Sequence, residues 1–284
     1  MKKKAALTLL RLYRKHAEVI PAEEWAVRIV SIMDDENLGV SLAVTSLVLA
    51  MAQDHPEAYS IACVKAVDRM AKIVLEEDYA NEYIYYKVPI PWLQIKLLRL
   101  LQYYPPSEDS TLRETLDHIL ETIVANSQET PKNVQHNNAQ NAVLFESINL
   151  AIHLNTESKV VSQAAVLLGR FILSRETNVR YLGLDTMAHL AACAESLEPI
   201  KMHQDTIILS LRDKDISVRR RGLDLLYSMC DITNAKVIVA ELLRYLQVAD
   251  YALREEMVLK IAILTEKVSS DQDSLEWRGL SSSY

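Results

Sequence analysis

Residues 217–229 read "SVRRRGLDLLYSM", three consecutive arginines set against an apolar stripe. Leu223 and Leu226 follow Val218 at offsets of five and eight, which keeps the three side chains on one face of a helix. The arrangement recurs on both sides. "NVRYLGLDTMAHLA" (178–191) supplies Val179, Leu184 and Met187, and "ALREEMVLKIAILT" (252–265) supplies Leu253, Val258 and Ile261. An arginine follows the first apolar residue at once in every copy: Arg180, Arg219 and Arg254. The copies start at 179, 218 and 253, a spacing of 39 and then 35 residues, which is the range of paired-helix repeats. Weaker copies lie upstream, at Val143, Ile148 and Ala151 and at Leu93, Leu98 and Leu101, with leucine and glutamine in the arginine slot.

Partner helices such as "KVVSQAAVLLGRFIL" and "AKVIVAELLRYLQ" fall between these segments, joined by the polar turns "SRETN", "LRDKDI" and "QVADY". Only five glycines and eight prolines interrupt 284 residues that are 50% hydrophobic, so helices with short connections are expected throughout. The predicted fold is all-α, a HEAT/armadillo-like helical-repeat solenoid over residues 1–268. Residues 269–284 abandon the pattern and are expected to form a divergent, disordered C-terminal tail. The opening "MKKKAALTLLRLYRKHAEVI" reads as a first structural helix that continues into "PAEEWAVRIVSIM".

Composition and motifs narrow the chemistry. A net charge of −7 argues against a general nucleic-acid surface. Cys63, Cys193 and Cys230 form no CxxC and sit among small apolar residues, as reduced core thiols of a cytosolic protein do. No apolar run approaches the about 20 residues needed to span a bilayer. Phosphate-binding glycine loops and HExxH are missing, and no two of the seven histidines stand at i, i+4. Asp34-Asp35 and Glu76-Glu77 read as solvated turn residues. No catalytic residue, metal or cofactor is expected, and the chain is not read as an enzyme.

The arginines have a structural reading. In stacked repeats an arginine in the first helical turn reaches an aspartate of the adjacent repeat, and Asp213, Asp215 and Asp250 lie in suitable turns. Arg219 and Arg254 are assigned to that ladder. Arg220 and Arg221 exceed its needs and are retained as candidate partner contacts, at least one of them solvated. Two segments break the monotony. "YANEYIYYKVPIPWLQ" (79–94) is an aromatic, proline-bearing connector expected to be extended and to lock two repeats together, with Trp92 opening the next helix. Residues 126–138 form an expected polar loop after a helix opened by "SEDS".

Several stretches together resemble the large adaptins. They are "KAALTLLRLYRKH", "YYKVPIPWLQIKLLRLLQYYPP", "QHNNAQNAVLFESINLAIH", "RETNVRYLGLDTM", "DLLYSMCDITNAKVIVAELLRYL" and "ADYALREEMVLKIAILTEK", spanning about residues 4 to 267. "PWLQIKLLRLL" is shared by several large adaptins. "YYPP" and "QHNNAQNAVLFE" are similar to the alpha type, from the trunk of the plasma-membrane clathrin adaptor. The resemblance implies a scaffold in clathrin-mediated endocytosis. It would assemble with beta-type large, medium and small chains, receive sorting signals of membrane cargo, and link indirectly to clathrin. It further implies a cytoplasmic protein held peripherally at phosphoinositide-bearing membrane through its complex. Lys132 and Arg180 match residues of a basic trunk surface within reach of acidic sequences in bound tails. The resemblance puts the family's main inositide-binding lysines near the start of the full trunk, upstream of Met1. That site is therefore not transferred to Lys2, Lys3 and Lys4, and the chain is expected to begin inside the solenoid.

The competing reading is another HEAT-type scaffold, for nuclear transport or a phosphatase, which would show a more uniform repeat and no proline-aromatic connector. A helical-repeat DNA-repair enzyme would need a basic groove with a catalytic carboxylate. Because each repeat hides its apolar face only against its neighbours, Leu223→Asp is expected to cost about 3–5 kcal/mol, read as a thermal melt against the parent.

Overall fold

The computed structural model describes the backbone of residues 1–281 and the side chains of residues 1–267. It divides into two compact units, Met1–Gln163 and Ala164–Tyr284. The first holds α1 (Lys2–Tyr13), α2 (Ala22–Ser31), α3 (Leu38–Asp54), the single turn α4 (Pro56–Tyr59), α5 (Ala62–Val74), α6 (Pro91–Leu101), α7 (Ser110–Asn126) and α8 (Val134–Leu154). Helix α9 (Lys159–Ile172) carries the boundary between the units. The second unit continues with α10 (Thr177–Cys193), α11 (Glu198–Lys201), α12 (Gln204–Ser210), α13 (Ile216–Ser228), α14 (Ala235–Leu246) and α15 (Tyr251–Ser281). The tail expected over 269–284 lies outside the described side chains.

Each unit is a double layer. In the first, α1, α3, α6 and α8 pack in series as one row, while α5 and α7 pack together behind them. In the second, α10, α13 and α15 form a row, with α12 and α14 against it. Every stretch that carried the repeat belongs to one of these rows: α6 and α8 in the first unit, α10, α13 and α15 in the second. Their apolar positions are sealed, with Leu93, Leu98, Ile148, Leu184, Met187, Leu223 and Leu226 all at 0% exposure. Gly222 permits the closest approach, because a Cβ there would stand 1.9 Å from the Ser210 Oγ of α12.

One copy slips. In α15 the position five beyond Leu253 is Val258, which is 53% exposed, and Met257 takes the core place at 0%. Leu253, Met257, Ile261 and Leu264 thus bury a stripe with spacings of four, four and three, equally compatible with a 3.6-residue turn. Only the neighbouring helix decides between the two faces.

Three further expectations need correction. The first helix does not run on into "PAEEW". It stops at Tyr13, a short 3₁₀ turn covers Ala17–Val19, and α2 starts after Pro21. Proline holds its predecessor out of helical geometry, and Ile20 is extended at φ −110°, ψ 120°. The loop at 126–138 is shorter than its polarity suggested, since α8 begins at Val134. There the Asn133 side chain accepts the His136 amide at 2.9 Å, a cap that outweighs the poor propensity of the following asparagines. Cys193 closes α10 at the surface and is exposed, whereas Cys230 is buried.

The connector at 79–94 folds into a small hairpin, β1 (Ile84–Tyr85) against β2 (Val88–Pro89), before Pro91 opens α6. Its locking contacts are aliphatic, with Val88 and Ile90 buried and the Gln94 amide donating to the Pro89 carbonyl at 2.5 Å. The aromatics stay outside: Tyr85 meets Trp92 edge-on at 4.7 Å, and Trp92 is 53% exposed.

The register of α15 separates two neighbouring substitutions. Met257→Asp is expected to cost about 3–5 kcal/mol, whereas Val258→Asp stays within about 0.5 kcal/mol of the parent in chemical unfolding.

Candidate partner-binding surface

Carbonyls in the turns between helices lie outside the helical ladder and must find donors elsewhere. Here the first-turn arginine of the helix after each turn supplies them. Arg180 Nη1 donates to the carbonyls of Ser174 and Arg175 at 3.1 and 3.0 Å, and Arg219 Nη1 to those of Asp213 and Lys214 at 2.7 and 3.1 Å. The remaining nitrogens reach onward. Arg180 grips Asp213 with Nε at 2.6 Å and Nη2 at 3.0 Å, and Arg219 Nη2 pairs with Asp250. Arg254 keeps the backward half alone, donating Nε to the Ala249 carbonyl at 2.8 Å. Asp215 is not a rung of the ladder; its side chain caps α13 by accepting the Ser217 and Val218 amides.

A fourth member escaped the repeat comparison. Arg113 Nη1 donates to the carbonyls of Ser107 and Glu108 at 2.6 and 3.0 Å, the same six- and five-residue reach as Arg180 and Arg219. The sequence does carry the signal, because Leu112-Arg113 repeats the apolar-arginine pair. Asp117 in place of an apolar residue five positions on concealed it.

Electrostatics bear out the forked contact. Burial alone would lift the carboxyl of Asp213, but hydrogen bonds from Arg180 and the Asp215 amide, together with the charges of Arg180 and Arg219, hold it below its ordinary value. Arg221 is likewise engaged: its guanidinium lies 3.1 Å from both Tyr181 Oη and Asp185, over the Tyr181 ring, and 3.5 Å from Asp224. Arg220 is more open, half-exposed, with Glu256 at 3.3 Å.

The cations left available are others. A cleft of about 560 Å³ beside Arg180 is rimmed by Arg175, Arg212 and Lys214, all exposed and without an ion pair among the described residues. In the first unit, Lys132 is exposed at a cavity of about 530 Å³ between the hairpin tip, the end of α7 and the start of α8, lined also by Tyr86, Lys87 and His136. Tyr86 and Lys87 form the two-residue turn with φ of 44° and 70°, a left-handed pair normally given to Asn-Gly. That strained turn places Lys87 opposite Lys132, and nothing in the residue types announces it. Lys132 belongs to the first unit and Arg180, Arg219, Arg220, Arg221 and Arg254 to the second.

Among the described residues no three histidine, cysteine or acidic side chains are placed to hold a metal ion, and no helix is long and apolar enough to cross a membrane.

Asp213→Asn is expected to cost about 2 kcal/mol at neutral pH. A carboxylate with a depressed folded pKa stabilises above its unfolded value, near 4, and loses that contribution as pH falls through the folded one. The gap between parent and variant in urea unfolding should therefore hold from pH 7 to about 5 and close only below about 4.

Comparison with known proteins fits this architecture. Residues 1–276 match the family described as the adaptin N terminal region. The chain is 47% identical over 273 residues to the AP-2 complex subunit alpha-2 of Dictyostelium discoideum, covering 95% of this chain and 28% of that protein. It is 47% identical over 280 residues to the AP-2 complex subunit alpha-1 of Arabidopsis thaliana, covering 98% and 27%. The AP-2 complex subunit alpha of Schizosaccharomyces pombe is 39% identical over 273 residues, 96% and 31%. The chain therefore spans under a third of these relatives' length. A helical-repeat chain matched along nearly its whole length in this way belongs to the adaptin family, and the segments it carries are those of the alpha-type large subunit.

Proposed function

We propose that this chain is a scaffold segment of the alpha-type large subunit of a plasma-membrane clathrin adaptor, working in endocytosis and cargo sorting. The observation that carries the reading is the 47% identity over 95–98% of the chain to AP-2 alpha subunits. The rows of mutually dependent helices support it, since such stacks offer long surfaces to other chains. A nuclear-transport or phosphatase scaffold is not favoured by these relatives. The segment binds and positions without performing a reaction. Its partners are the beta-type large, medium and small chains of the complex, and through that complex clathrin and phosphoinositide-bearing membrane.

Acidic sequences in cargo tails meet two basic places, the cavity of Lys132 with Lys87 and the cleft rimmed by Arg175, Arg212 and Lys214. Within that cleft Arg180 fixes the turn that holds the rim, its own charge being matched by Asp213. Lysines and arginines in open clefts act mainly through long-range attraction, so this binding weakens with salt.

Co-expression with the three partner chains, followed by native mass spectrometry, tests the scaffold. A complex containing this chain is expected, and recovery of the chain alone would reject the reading. In that complex, Lys132→Glu and Arg212→Glu should each weaken a glutamate-rich tail peptide about three- to tenfold by fluorescence anisotropy, with an undiminished melting temperature.

A further inference from the structure

A different cluster of cations sits in the first unit, on the row formed by α1, α3 and α6. Lys96 lies in the middle of α6, half-buried, and no carboxylate pairs with it among the described residues. Its pKa is lowered first by burial and then by the positive charges of Arg99 and Arg14. The three line one cavity of about 470 Å³ together with Gln53, Asp54 and Tyr103. Two acids stand nearby, and both are occupied. Asp54 accepts the Tyr13 hydroxyl at 2.6 Å, and Glu146 accepts Arg99 Nε at 2.7 Å and the Gln102 amide at 2.8 Å. The ammonium of Lys96, the guanidinium of Arg14 and the Nη atoms of Arg99 have no acceptor among the described side chains. Three cations line this cavity against one carboxylate, Asp54, so positive charge is in excess around the half-buried lysine and a further anion there is favourable.

We propose that this cup is an anion site that takes a compact phosphoryl group. A single carboxylate offers two oxygens and one charge, too few for two guanidinium groups and an ammonium that line one cavity. A phosphoryl group offers three or more oxygens in a tetrahedral array and up to two charges, which suits that mixed donor set. Its source is either a soluble phosphate ester or the phosphomonoester headgroup of a lipid. Nothing in this assignment depends on the Lys132 cavity, which is built from the hairpin, α7 and α8.

The test titrates sodium pyrophosphate into the 284-residue chain by calorimetry at low ionic strength, with Lys96→Gln, Arg14→Gln and Lys132→Glu as variants. One site is expected, weakened about tenfold by Lys96→Gln and by Arg14→Gln and left within about twofold by Lys132→Glu. Lys96→Gln removes a repelled cation, so its melting temperature should equal or exceed the parent's, which separates lost binding from lost folding. Flotation with phosphatidylcholine vesicles carrying phosphatidic acid distinguishes the sources. Lys96-dependent recruitment identifies the lipid headgroup, and pyrophosphate binding without recruitment identifies a soluble ester. Absence of pyrophosphate binding, binding indifferent to Lys96 and Arg14, or capture of a polyglutamate peptide in place of pyrophosphate would each overturn the assignment.

Discussion

No row helix in this protein covers its own apolar stripe. Leu223 and Leu226 of α13 are sealed only because α10 and α15 lie on either side of it and α12 packs behind. Only Ile216, Ser217, Arg220 and Ser228 of α13 are exposed, because its neighbours cover the helix on more than one side. Stability within a unit is then mainly a sum over neighbouring contacts, and damage to one seam spreads first to adjacent helices. Gly222 shows how tight the seam is, since even a methyl group there would collide with Ser210, whose hydroxyl is already bound to the Ile207 carbonyl.

Packing alone does not fix the turns, and the arginines supply that constraint. A first-turn guanidinium has five donors in a rigid fork, enough to satisfy two orphan carbonyls behind it and a carboxylate ahead. Arg180 and Arg219 use the fork in both directions, while Arg113 and Arg254 show the backward contact alone. Lysine cannot replace this, because its three donors radiate from a single point. The ladder is therefore structural charge. Arg180 and Arg219 contribute little net field, since aspartates of neighbouring turns lie against them.

That distinction explains what the sequence could and could not reveal. The row helices, their period and the aspartate partner of Arg219 follow from side-chain spacing, because an apolar seam and a forked ion pair both impose fixed offsets. The pairing of Arg180, read as a partner-facing cation, with Asp213 does not, nor does the position of Arg254, expected on an aspartate but held by the Ala249 carbonyl. The slip from Val258 to Met257 does not follow, since both residues suit a helix and only the facing helix discriminates. Pro21 was visible, but the amphipathic pattern around it masked the break at Ile20. His136, Asn137 and Asn138 read as loop until Asn133 is recognised as a cap. The turn at Tyr86-Lys87 has none of the residues that normally adopt left-handed φ, so the surrounding buried Val88 and Ile90 must enforce it.

Surface charge was the least legible property. Net charge is −7, yet the surface holds basic places because acids and bases are not paired at random. A run such as Arg219-Arg220-Arg221 draws the eye, although each of its members has an acidic neighbour. Lys96, Arg175 and Lys214 are single cations in ordinary helical or turn contexts, and no offset rule marks them. What separates the two groups is whether an acid of a neighbouring element already lies against the cation. A matched cation gains little from a second anion, which would have to displace the first. An unmatched one in a cup retains its full attraction at reduced dielectric. Binding capacity in a helical stack therefore belongs to the cations that the repeat leaves unpaired, and these are set by packing between helices more than by local sequence.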